Sequence, residues 1–193
     1  EALSVSVNGE TWDLTRPINS DSEIKFYTWD DEEGRHTFWH TSAHLMAQAI
    51  QMLYPNAKIG SGPAIENGFY YDFDSDETFS PEALAKIEKE MKKIVRENHK
   101  LERFTLPRDE AKKFMEDAGE PYKVLLIDRV PEGEEISFYK MGDFTDLCAG
   151  PHLFATGAVK AFKLTQCTGA YWEGDAKNKM LQRVYGTAFP TKD

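Results

Sequence analysis

The sequence predicts an α+β protein, a sheet with helices on one face, and three observations predict it. Apolar and polar residues alternate around a two-residue turn signal at Asn8-Gly9. Two longer stretches carry helical spacing, and strands and helices follow one another without the regular alternation of a parallel sheet. Within residues 3–14, Val5, Val7, Trp12 and Leu14 alternate with polar side chains, which reads as a hairpin. Glu23 to Trp29 reads as a further strand and the charged stretch Asp30 to Arg35 as a linker, so a small β module is expected over 1–35 and the main domain over 36–193. There Thr37 is placed to cap a helix reaching Tyr54, because Leu45, Met46, Ala49, Ile50 and Leu53 recur at helical spacing before Pro55 ends the pattern. Gly60, Gly62, Pro63 and Gly68 mark a loop that leads into a strand from Phe69 to Phe73. Ser80 then caps a second helix, with Pro81 in its first turn, that continues to about Lys100 and carries mixed charges on a solvated face. Beyond it the sequence reads as a short helix over 108–118, a strand from Lys123 to Ile127 and another from Ile136 to Met141. Strand-like segments from Ala158 to Gln166 and Gln182 to Tyr185 flank a loop containing Gly169, Gly174 and Asn178.

With 193 residues, 40% hydrophobic and 12% aromatic, the chain has material for one sizeable core and a small companion. Its apolar runs are short and broken by charges, and no basic start leads through an apolar run to a cleavage site, which argues against membrane insertion and secretion. Two cysteines, Cys148 and Cys167, are too few for a disulfide framework, so the expected compartment is the cytoplasm. The net charge of −10, from 23 basic and 33 acidic residues, excludes a protein that coats nucleic acid by broad phosphate neutralisation. It leaves room for a domain that receives only the end of an RNA through a local basic lining. The first residue, Glu1, falls inside what reads as a strand and no closing element follows Lys192 and Asp193, so the chain reads as a fragment.

Two short motifs carry chemistry, His40-Thr-Ser-Ala-His44 and Cys148-Ala-Gly-Pro-His152. In the first, the i, i+4 spacing puts both imidazoles on one helix face, where they can converge on one ion or one water. In the second, Gly150 and Pro151 forbid a helix, so Cys148 and His152 flank a tight turn. Each motif alone is common: paired histidines often bond only to backbone, and a lone cysteine is usually a small buried hydrophobe. Together they hold four of the seven residues that make up the chain's five histidines and two cysteines, which points to one common site. Three nitrogens and one sulfur suit tetrahedral zinc; the same histidines, without metal, suit general base work near neutral pH.

The helix motif Trp39-His-Thr-Ser-Ala-His-Leu-Met-Ala-Gln-Ala49 and the turn Asp146-Leu-Cys-Ala-Gly-Pro-His152 resemble the paired motifs of the editing domain shared by threonyl- and alanyl-tRNA synthetases. Gly169-Ala-Tyr-Trp-Glu-Gly-Asp175 and Asn178-Lys-Met-Leu-Gln-Arg-Val-Tyr-Gly-Thr-Ala188 are similar to the threonyl segment that leads into the synthetic domain, which the alanyl enzymes lack. Residues 2–30, with Val7-Asn-Gly-Glu and Asp13-Leu-Thr-Arg-Pro17, resemble the end of the small β-grasp module that precedes editing in the threonyl family, truncated at its start so as to leave a strand edge unpaired. The resemblance implies a β-grasp remnant followed by an editing domain with an antiparallel sheet and helices packed on it. It implies deacylation of Ser-tRNA(Thr), with the serine-carrying 3′ end of tRNA(Thr) and the rest of the synthetase chain as partners, and ATP serving only the synthetic domain.

Carried onto this sequence, the family's site implies His40 as base or water-orienting group, His44 and His152 as substrate and water positioners, and Cys148 as a wall and weak hydrogen-bonding partner. Lys123, in Pro121-Tyr-Lys-Val124, falls at the family's catalytic lysine, and Tyr71 and Asp146 fall at positions that line its pocket. Lys89, Lys92, Lys93 and Arg96 face either an acceptor stem or plain solvent. No metal is expected to be required; if zinc is present, His40, His44, Cys148 and His152 are its candidate ligands. Two rival readings remain, a zinc-dependent editing hydrolase of the alanyl type and a non-catalytic structural zinc module.

Overall fold

The computed structural model describes residues 1–191; Lys192 and Asp193, where the sequence shows no closing element, lie outside the described residues. Strands β1 (Ser4–Val7), β2 (Glu10–Trp12) and β3 (Ile24–Tyr27) form a three-stranded antiparallel sheet in the order β2-β1-β3. The hairpin falls where the turn signal puts it, with Val7 opposite Glu10 across Asn8-Gly9.

Helix α1 (Glu32–Leu53) follows. It starts five residues before the cap expected at Thr37, inside the predicted linker. Asp31 takes the cap position, and its carboxylate accepts the Thr28 N–H at 2.9 Å. Glu32 and Glu33 in the first turn complement the helix dipole. Gly34 permits the early start, because a Cβ there would lie 2.0 Å from the Thr28 carbonyl oxygen. From Thr37 to Ile50 every residue of α1 is buried, so the helix is the axis of the main core. Its polar residues need internal partners, and two find them one turn back: Thr37 Oγ1 donates to the Glu33 carbonyl and Ser42 Oγ to that of Phe38.

The main sheet is antiparallel, in the order β10-β11-β6-β4, with β5 on the free part of β6. Its strands are β4 (Lys58–Ile59), β5 (Ala64–Ile65), β6 (Gly68–Asp74), β10 (Ala161–Tyr171) and β11 (Met180–Phe189). Helix α2 (Pro81–Glu97) packs beside α1 and against β10, and its amphipathic pattern buries Leu84, Ile87, Met91 and Ile94. As the sequence predicts, Ser80 caps it: Oγ accepts the Ala83 N–H at 3.2 Å.

A second antiparallel sheet, β7-β8-β9, comprises β7 (Leu101–Thr105), β8 (Ser137–Met141) and β9 (Phe144–Leu147). Register pairs Tyr139 with Asp146 and Phe138 with Leu147, so alternate pairs face opposite sides. Phe138 and Leu147 join Ala111, Met115 and Ile127 in a small second core with α3 (Arg108–Asp117) and α4 (Pro121–Asp128). The other face, with Tyr139, Met141 and Phe144, meets the main core.

The strand expected from Lys123 to Ile127 is a correction: these residues lie in α4. Val124 and Ile127, three apart, both pack on the second core, and Pro121 at the first turn favours a helix start, so tertiary contact overrides the β-prone composition. Among the described residues no helix is long and apolar enough to cross a membrane. Replacing the α2 cap by Ser80→Ala is expected to lower stability by about 1 kcal/mol, read as a shifted urea midpoint with an unchanged slope; no shift would mean that the cap bond adds nothing.

Candidate active site

The two motifs meet although they lie more than a hundred residues apart. Helix α1 supplies His40 and His44 from successive turns of one face, and the turn after β9 supplies Cys148 and His152. That turn needs its glycine: Gly150 has φ +76°, and a Cβ on it would lie 2.2 Å from the Tyr139 hydroxyl. The turn is clipped to α1 by Thr41, whose Oγ1 accepts the Leu153 N–H at 2.9 Å and lies 2.9 Å from His152 Nδ1.

His40 Nε2 lies 3.2 Å from His44 Nε2 and 3.2 Å from Cys148 Sγ, which is 3.3 Å from His152 Nε2. The His40 and His152 rings stack at 4.3 Å. Ligand atoms of all four residues fall within 4.8 Å of one another. Each imidazole has its other nitrogen, Nδ1, turned outward onto an oxygen: His44 onto Asp146 Oδ2 at 2.8 Å, His152 onto Thr41 and His40 onto the Pro151 carbonyl at 3.3 Å. The Nε2 atoms therefore converge on one point.

Asp146, wholly buried, ties this cluster to the surrounding elements. Its Oδ2 accepts from His44 and, at 2.6 Å, from the Tyr71 hydroxyl on β6; its Oδ1 is 2.8 Å from the buried Lys123 ammonium on α4. Burial by itself would raise this carboxyl, but Lys123 and His44 overcome that and hold it well below the usual carboxylate range. Burial, with the charge of Asp146, drives the Tyr71 phenol far up, so it stays a donor. His40 is lowered to about 3, chiefly by burial and then by His44. His152 falls well below its ordinary value for the same reason, burial first and then His40 and His44. Cys148 is pushed up by burial and by Asp146, so it remains a thiol.

The donor set also fits a metal. With zinc at roughly 2.0–2.1 Å from nitrogen and 2.3 Å from sulfur, tetrahedral neighbours lie about 3.3–3.7 Å apart. The three shortest spacings here, 3.2, 3.2 and 3.3 Å, match within a few tenths of an ångström, and outward oxygens on every Nδ1 are what orients metal-binding histidines.

Of the residues singled out in the sequence, His40, His44, Cys148, His152, Lys123, Tyr71 and Asp146 come together in one network. Tyr71 and Asp146 are fully buried and sit behind the imidazoles as supports. The sequence names no base beside Cys148, whereas the fold brings two imidazoles to its sulfur. A cleft of about 360 Å³, bordered by Leu126, Val130, Ile136, Leu147 and Ala149, reaches Cys148. Lys89, Lys92, Lys93 and Arg96 lie on the exposed face of α2, with Lys93 3.6 Å from Glu90. Sequence reasoning missed Thr41, Asp13, Tyr139 and Glu120. Thr41 has a signal, its i, i+3 relation to His44 on the same helix. Glu120 is buried, accepts the Ile59 N–H at 3.0 Å and the Gln51 amide at 2.6 Å, and so anchors the start of α4 below Lys123.

Residues 136–185, which include the Cys148 turn, match the family described as Threonyl and Alanyl tRNA synthetase second additional domain. The chain is 63% identical over 192 residues to the threonine–tRNA ligase of Clostridium tetani, which takes in 100% of this chain. It is 62% identical over 191 residues, 99% of the chain, to that of Acetivibrio thermocellus, and 58% identical over 192 residues, 100% of the chain, to that of Carboxydothermus hydrogenoformans. The resemblance to the threonyl-tRNA synthetase family thus extends across the chain, which spans 30% of the length of these relatives.

Asp146→Asn would strand the Lys123 ammonium in the interior and is expected to cost about 3–5 kcal/mol of stability by denaturant unfolding. The double change Asp146→Leu with Lys123→Met should recover part of that loss. A single-variant cost below about 1 kcal/mol would show that the pair is solvated.

Proposed function

We propose that this segment is the proofreading site of a threonine–tRNA ligase and deacylates Ser-tRNA(Thr). The observation that carries the reading is the convergence of His40, His44, Cys148 and His152 within 4.8 Å, beside the Lys123–Asp146 pair, in a chain so similar to these ligases. The need is physical: serine and threonine differ by one methyl group, and a hydrophobic contact of that size discriminates by only about 1–3 kcal/mol. A second site that hydrolyses the smaller product and excludes the larger completes the selection. The partners are then the 3′ end of tRNA(Thr) and the rest of the ligase chain, the compartment is the cytoplasm, and ATP is used only outside this segment.

In this reaction water adds to the ester carbonyl carbon, the bond to the ribose oxygen breaks, and that oxygen takes up a proton. A neutral His40 keeps its Nε2 lone pair across the physiological range and so accepts a hydrogen bond from the attacking water. An imidazole near 3 is too weakly basic to hold the proton. This favours water orientation, with the proton passing on to the leaving ribose oxygen. Lys123, fixed by Asp146, supplies a cation for the carbonyl oxygen as it gains charge, or relays the proton by giving its own to the leaving oxygen and taking up the one that the water loses. His44 and His152 hold water and ester in place, and tRNA reaches the cluster by the cleft at Cys148. Covalent catalysis by Cys148 is disfavoured, since both neighbouring imidazoles are held neutral and the thiol is pushed up.

The fit of the donor set supports zinc as a second reading. Held by His40, His44, Cys148 and His152, the ion would acidify a bound water if one position stayed open to solvent. All four as ligands would instead make a closed structural centre. The test incubates the intact protein with Ser-tRNA(Thr) and Thr-tRNA(Thr), with and without chelator, beside His40→Ala. Hydrolysis of the seryl ester alone, resistant to chelator and reduced about 10²–10⁴-fold by the substitution, is expected. Loss on chelation would make the four residues zinc ligands, stoichiometric metal without hydrolysis would favour the structural module, and a protein that binds no metal and hydrolyses neither ester would end the editing assignment.

A further inference from the structure

The N-terminal β module reaches the candidate active site through one side chain. Asp13 follows β2 and is 5% exposed. Its Oδ1 accepts the backbone N–H of His152 at 2.6 Å, and its Oδ2 accepts the Tyr139 hydroxyl at 2.5 Å. Tyr139 in turn stands edge-on to the His152 ring at 4.4 Å and fills the space that a side chain at Gly150 would need. One carboxylate thus holds the same imidazole twice, once by its backbone and once through the ring beneath it. Both are charge-assisted bonds to a buried anion, the strong class of hydrogen bond. No other carboxylate bonds to the Cys148–His152 turn among the described residues; its remaining clips are the Thr41 hydroxyl, His40 at the Pro151 carbonyl and the Cys148 sulfur, and the Ser137 backbone and hydroxyl.

We infer that Asp13 is a positioning residue of the hydrolytic site, so that the small β module completes that site. Asp13 sets the place of the His152 ring, and through the stacked pair that of His40, without touching substrate. The inference rests on the hydrolytic reading of the site given above. A misplacement of about 1 Å in such a group costs on the order of a hundredfold in rate, so the effect is measurable even if the fold absorbs part of it.

The experiment compares wild type, Asp13→Ala, Asp13→Asn and Tyr139→Phe in the intact protein. It follows single-turnover hydrolysis of Ser-tRNA(Thr) across protein concentration, thermal melting, and the imidazole resonances of His152, with His99 as an internal reference. Asp13→Ala is expected to lower the maximal rate at least about tenfold, leave the half-saturating concentration within about twofold and move the His152 resonances but not those of His99. Asp13→Asn keeps an acceptor for the His152 N–H and is expected to stay within about threefold of wild type, a rescue that a purely electrostatic role would not allow. If Asp13→Ala does not fold, Tyr139→Phe carries the test, with a rate about threefold lower and a moved His152 resonance. An unmoved His152 resonance with an unchanged rate, in Asp13→Ala or in that substitute, overturns the inference. A wild type that does not hydrolyse the ester overturns the proofreading reading alone, and the His152 resonances still decide what Asp13 does.

Discussion

A single buried carboxylate organises this molecule. Asp146 lies on β9, yet its partners come from three other elements: His44 from α1, Tyr71 from β6 and Lys123 from α4. A charge taken out of water is tolerated only when its lone pairs are satisfied, and here cation, imidazole and phenol satisfy them together. The main sheet, the second sheet, the central helix and the helix of the second core are thereby joined at one point inside the protein. The cost of burying that charge is offset by placement, since each of the three groups is fixed to within hydrogen-bond length.

Around this hub the site is built as two shells on rigid supports. The inner one is four side chains whose reactive atoms face one another; the outer one is Asp146, Thr41 and the Pro151 carbonyl, which orient the three imidazoles. Asp13 and Tyr139 extend the outer shell into the N-terminal sheet, and Glu120 extends it to the foot of α4. Burial makes His40 and His152 poor proton holders and the Cys148 thiol a poor nucleophile, which leaves the cluster suited to holding water or a metal ion. The cluster accounts for three of the polar residues that α1 buries, His40, Thr41 and His44; Thr37 and Ser42 bond back to their own helix and Gln48 to the Met141 carbonyl.

The local signals in the sequence translated directly into structure where one residue type controls one backbone event. Asn8-Gly9 makes its hairpin, Ser80-Pro81 starts α2, and the stretches read as strands at Phe69–Phe73 and Ile136–Met141 form β6 and β8. The start of α1 and the identity of α4 were not legible. In both, a packing contact decides: the Thr28 carbonyl pressed on Gly34 at the start of α1, and the second core, built from residues distant in sequence, drawing in Val124 and Ile127.

The same division holds for chemistry. By itself the sequence determined which groups exist and their local spacing: two imidazoles on one face of a helix, and a cysteine and a histidine about a glycine-proline turn. Those follow from the geometry of a few consecutive residues. Tertiary structure alone decided that the two pairs face each other, that their Nδ1 atoms are engaged and their Nε2 atoms converge, and that Asp13, 139 positions before His152, belongs to the same network. Such pairings depend on how sheets and helices pack across the whole chain, and an isolated aspartate in a hairpin gives no local sign of the partner it will find.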